Sequence, residues 1–253
     1  MLWSRIVSLV SPILFFVFLQ LADKFAGQVL YWGMAALIAA ALALVYLRRI
    51  WLKEKIEFKI FWLSSFLFLL GSFLIFVFLS REVFRQVVIF FSSLLFFLQL
   101  FYATLFLRER KDFYLSNMAV LNEIFPVLAF LLLANGFYDW LAFLSRIMWI
   151  FLILVSFVAL QGGYNLFFNA WGRNFYFAPL WITTLITAEL FWALDFLSVG
   201  FFIKGLLLTI VWWVVIKVLA ELYKTERKKV KIYVFSLLAL ILVALILLNS
   251  RWI

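Results

Sequence analysis

Six side chains stand out for the chemistry they could do: Asn117, Asn122, Glu123, Arg146, Glu189 and Trp192. All fall in long apolar stretches, where a charged group costs about 2.5–3.5 kcal/mol against hydrocarbon and is normally turned to protein or water. Pro126 sharpens the first group. A proline inside a helix lacks the N–H that would pair with the carbonyl four residues earlier, here that of Asn122. A free carbonyl, the Asn122 amide and the Glu123 carboxyl would then lie together, with Asn117 in reach, as a site for a cation, a proton or a polar head group. Arg146 and Glu189 are expected at nearly equal depth, which predicts an Arg146–Glu189 pair. Asp195 and Lys204 flank one turn and predict a second, wetter pair. Glu189, Trp192, Ala193 and Phe196 share a helical face, while Trp212 and Trp213 lie mid-span and are expected to pack against protein. Buried carboxyls and amides also serve only to lock helices together, at roughly 0.6 kcal/mol per hydrogen bond. The sequence leaves both uses open.

Several chemistries are excluded. The chain has no cysteine and no histidine. That removes disulfides, thiolate nucleophiles, the common zinc and haem ligand and the commonest general base. No catalytic residue, metal or cofactor is predicted.

The elements that must carry these residues follow from composition. Of 253 residues, 69% are hydrophobic and 13% charged, against about 25% charged in a soluble domain. The apolar residues run in stretches of about 20, the length of a helix across a ~30 Å hydrocarbon layer. Helices and closed barrels alone satisfy their backbone in lipid, and runs such as 35–47 do not alternate as barrel strands would. The predicted fold is therefore an all-α polytopic bundle, a single integral membrane domain over residues 1–253. Its roughly nine spans are expected near 2–22, 29–47, 60–79, 87–107, 115–134, 141–161, 177–197, 201–220 and 232–250. The first, with Arg5 ahead of an apolar stretch, resembles a signal peptide but is too long and lacks a small-x-small cleavage site, so it is read as a retained span.

Sixteen of the 22 lysines and arginines then fall on one side of the bilayer and six on the other. The bias puts the N-terminus in the cytoplasm of a cell membrane crossed many times. Arg48, Arg49, Lys53, Lys228 and Lys229 are expected to meet anionic lipid head groups. Other membrane subunits are possible partners; nucleic acid is not an expected one. Aromatic residues at predicted span ends, Tyr138, Trp140 and Tyr223 among them, fit head-group anchoring.

Between Gly162 and Phe177, Tyr164, Phe167, Phe168 and Trp171 make an aromatic stripe at helical spacing. This segment reads either as a short helix lying in the interface or as a re-entrant segment hinged at Gly162, Gly163 and Gly172. A shift of about 114 residues superposes Pro12 on Pro126 and brings several charged loops into register, the pattern of a duplicated four-helix unit with few identities.

The stretch 188–202, with Glu189 and Trp192 in a Glu-x-x-Trp pattern, then Phe196-Leu197 and an aromatic turn through Phe201-Phe202, resembles a motif of an uncharacterised family of multi-spanning bacterial membrane proteins. The resemblance implies a membrane location and no activity. Three functions stay open. The first is a component handling a small solute, ion or lipid through a polar site among spans five to seven. The second is a scaffold subunit of an envelope complex, and the third an enzyme acting on a lipid-linked substrate with Glu123 or Glu189 as base.

Overall fold

Backbone groups in an apolar run have only one another to bond, and each apolar run of this chain is a helix. The computed structural model describes residues 2–53, 61–109, 112–144, 148–171, 177–223 and 229–249. The helices are α1 (Leu2–Lys24), α2 (Val29–Lys53), α3 (Phe61–Phe78), α4 (Glu82–Glu109), α5 (Asp112–Leu144), α6 (Met148–Trp171), α7 (Phe177–Asp195), α8 (Phe201–Leu222) and α9 (Lys229–Asn249), with a 3-10 turn at Ala26–Gln28. No strand occurs among the described residues. Seven of these helices are long and apolar enough to cross a membrane, and α3 and α9 supply shorter apolar stretches. The protein is an all-α, membrane-spanning helical protein. Its outer surface is accordingly oily, with Trp149, Tyr31 and Leu30 among the exposed side chains.

Two helices depart from the sequence reading. α5 continues to Leu144, through residues assigned to the start of the sixth span. α6 continues to Trp171, so residues 162–171 are neither a separate interfacial helix nor a re-entrant segment. The reason is packing. A Cβ on Gly162 would come 2.9 Å from the Trp212 ring, and one on Gly163 would come 3.0 Å from Leu180. These glycines are close-approach points between helices. Asn165 and Phe167, one turn on, are buried. Gly172 and Arg173 lie outside the described residues.

The chain divides into two compact units, Met1–Phe125 and Pro126–Ile253. In the first, α1 packs on α2 and α4, and α3 packs on the same two helices. Gly33 of α2 lies directly under the Phe73 ring of α3. Phe15 meets Phe96 edge-on at 6.0 Å, and Phe68 meets Phe125 at 4.9 Å. Some polar groups in this core bond within their own helix and one bonds across helices. Ser72 and Ser92 donate to the carbonyls of Phe68 and Val88, and Gln99 Nε2 donates to Ser65 Oγ across the bundle.

In the second unit α6 packs on α7 and α8, and α8 also carries α9. The later half of α5 joins them through aromatic stacks. Phe130 lies on Trp212 at 4.4 Å and Tyr138 on Phe191 at 4.5 Å. Trp212 is fully buried, as its mid-span position predicts. A Cβ on Gly205 of α8 would sit 2.5 Å from Asn135 Oδ1 of α5, another close approach.

Candidate functional site

Asn117, Asn122 and Glu123 ride on the part of α5 that belongs to the first unit. Neighbouring residues on a helix project about 100° apart, and here that separates the expected cluster. Asn122 is half-buried, and its Oδ1 is buried without a hydrogen-bond donor, whereas Glu123 is exposed. Asn117 is half-buried. The amide turns inward and the carboxyl outward, so the two do not converge on one point as the sequence suggested.

Glu189 and Trp192 belong to the second unit, on α7, a helix with two distinct faces. Its buried face is the polar-looking one: Thr183, Thr184 and Thr187 point inward beside Leu180 and Phe191. Each threonine hydroxyl donates to the carbonyl four residues earlier, at 2.6–2.9 Å. Such internal bonding lets a hydroxyl enter an apolar interior without an outside partner. The opposite face carries Glu189, Trp192, Ala193 and Phe196, all exposed, as their shared helical register requires. Trp192 is 52% exposed and meets Phe196 edge-on at 5.3 Å. Glu189 makes no ion pair or hydrogen bond among the described residues. Arg146, and with it the expected Arg146–Glu189 pair, lies outside them.

The Asp195–Lys204 pair is present. Lys204 Nζ donates to the Asp195 backbone carbonyl at 2.9 Å and stands 3.5 Å from Asp195 Oδ1. It is drier than the sequence implied, since Lys204 is only 5% exposed. Its ammonium lies 5.8 Å from the ring centres of both Tyr138 and Phe201. The aliphatic stem of lysine fills the helix interface while the head group reaches the α7–α8 turn. Tyr138 itself is buried, with its hydroxyl donating to the Phe191 carbonyl at 2.9 Å. It is therefore an interior residue and not the head-group anchor expected, because α5 runs past it.

One polar cluster was not foreseen. Near one end of α1 and α4, Arg85 Nε lies 3.0 Å from Asp23 Oδ1, and Gln86 Nε2 donates to Asp23 Oδ2 at 2.8 Å. Gln86 and Gln20 exchange an amide hydrogen bond of 2.6 Å. These partners are 62 to 66 residues apart in sequence, and only their shared position near span ends hinted at the meeting.

Among the described residues no three acidic side chains gather as metal ligands. Arg48 and Arg49 are exposed at the end of α2, while Lys228 lies outside the described residues. Comparison with known proteins found no matching family model, no matching curated protein and no matching solved structure.

Proposed function

We propose that this chain is a non-catalytic subunit of a membrane complex, receiving a transmembrane helix of a partner on the outward face of α7. The observation that carries this reading is Glu189, a carboxylate exposed in mid-helix on a face otherwise made of Trp181, Leu185, Trp192 and Phe196. Left against lipid, such a group costs about 2.5–3.5 kcal/mol. A partner helix offering a basic or hydrogen-bonding side chain at that depth removes the cost and covers the aromatic residues together. Exposed aromatic side chains around one polar group are the usual makings of an interface anchor.

The test is site-specific photo-crosslinking in native membranes from position 192, with position 30 on α2 as a control. A discrete protein adduct from position 192, lost in Glu189→Leu and absent from position 30, is expected. Lipid adducts alone at both positions would refute the reading.

A second reading, handling of a small solute, ion or lipid, is favoured by one observation. Asn122 Oδ1 is buried without a donor, in the turn before Pro126. A bound cation or N–H group would satisfy it. Under this reading Asn122→Leu abolishes ligand binding while the protein stays folded. In either case we place the chain in the cell membrane with its N-terminus cytoplasmic, a layout supported by the distribution of the 22 basic residues.

A further inference from the structure

A cleft of about 530 Å³ opens between α1 and α4 beside the Asp23–Arg85 pair. Its floor is fixed. Asp23 is 10% exposed; its Oδ2 accepts from Gln86 Nε2 of α4, and its Oδ1 stands at ion-pair distance, 3.0 Å, from Arg85 Nε. Arg85 is ion-paired to Asp23 without a hydrogen bond at Nε, and its side chain remains 28% exposed along the cleft wall. A guanidinium presents its nitrogens as a planar fork suited to two phosphate oxygens. Lys24 and Glu82, both exposed, stand at the rim and add one further charge of each sign. About two turns deeper along α1 the wall becomes apolar, with Phe16 and Val17.

The lining therefore joins a balanced set of charges, Arg85 and Lys24 against Asp23 and Glu82, to an oily groove continuing into the span. An anionic ligand would leave Glu82 opposed to it, and a cationic one would meet Arg85 and Lys24. A group carrying one phosphate and one ammonium fits both signs, and the Phe16–Val17 wall suits an acyl chain.

We infer that this cleft binds a zwitterionic phospholipid with a primary-amine head group, its phosphate on Arg85 and Lys24 and its ammonium on Glu82. The site lies wholly in the first unit and is independent of the α7 face. The ammonium matters because it donates hydrogen bonds to a carboxylate, which a trimethylammonium cannot do.

Delipidated protein in detergent would be titrated with phosphatidylethanolamine, phosphatidylcholine, phosphatidylglycerol and soluble phosphoethanolamine, with bound copies read by native mass spectrometry. Phosphatidylethanolamine is expected to bind about tenfold more tightly than phosphatidylcholine, as for one charge-assisted hydrogen bond. Glu82→Gln should reduce that preference to within about threefold, and Lys24→Gln should weaken both lipids alike, since each has the phosphate. Both residues are exposed, so both variants should keep the wild-type melting temperature without lipid. Equal binding of the three lipids, a preference for phosphatidylglycerol, or a preference unmoved by Glu82→Gln would each overturn the assignment. Soluble phosphoethanolamine binding as tightly as the lipid would overturn the lipid as its source.

Discussion

Lys204→Met tests how a buried ammonium is held in the second unit. The substitution keeps an apolar stem of similar length and removes only the charge. Three contributions decide the outcome. The bond to the Asp195 carbonyl at 2.9 Å is charge-assisted, worth roughly 1.5–3 kcal/mol. The two ring contacts, at 5.8 Å, lie near the outer limit for cation–π attraction and add about 0.5 kcal/mol each at most. Against these, methionine avoids the desolvation of the ammonium, a cost of several kcal/mol for an isolated ion that pairing here largely offsets. Asp195, with 34% of its side chain exposed, stays hydrated when the lysine is gone. The net expectation is a loss of about 1–2 kcal/mol, near tenfold in the unfolding equilibrium. Asp195→Asn should cost less, under roughly 0.7 kcal/mol, because the backbone acceptor survives. Unfolding by sodium dodecyl sulfate in mixed micelles measures both. A Lys204→Met protein as stable as wild type would refute the reasoning. Asp195→Asn matching Lys204→Met would show that the carboxylate, not the peptide carbonyl, is the main acceptor.

Three further outcomes are expected. Tyr138→Phe should keep the stack on Phe191 but lose the 2.9 Å bond to its carbonyl, costing about 0.6–1.7 kcal/mol by the same unfolding assay. Ser65→Ala should cost about 1–2 kcal/mol by stranding the buried Gln99 amide, and adding Gln99→Met should recover most of the loss. Gly162→Ala should lower stability by about 1–3 kcal/mol, because the new methyl meets a Trp212 ring pinned by Phe130. Gly200→Ala has open space around it and should lie within about 0.5 kcal/mol of wild type in the same measurement.

The helical architecture was legible because an oily run of bilayer length has no other way to bond its backbone. The α5 boundary was harder to read. Tyr138, Asp139 and Trp140 together look like a membrane surface, yet Tyr138 carries its hydroxyl into the interior to a specific carbonyl. The Asp195–Lys204 contact could be read because nine residues and a tight turn leave those two groups little choice. The Asp23–Arg85–Gln86 cluster could not, since nothing local links α1 to α4. The outward direction of Glu189 was hidden by an inverted pattern. In water the threonine face of α7 would be the exposed one, but between oily helices those hydroxyls bond their own backbone and go inside.

That inversion bears on how the protein is made. Each Leu, Ile or Phe near the centre of a span favours insertion by about 0.3–0.6 kcal/mol, so on the order of six of them offset one acidic residue. α7 is the least apolar of the seven long spans and carries Glu189 on its outer surface. It is the segment that the translocation machinery has most reason to pass by. An α7 left in the aqueous phase would reverse the sidedness of α8 and α9 behind it. Capture of α7 by α6, already synthesised, and then by α8 as it follows is therefore the step on which correct topology of the C-terminal half turns.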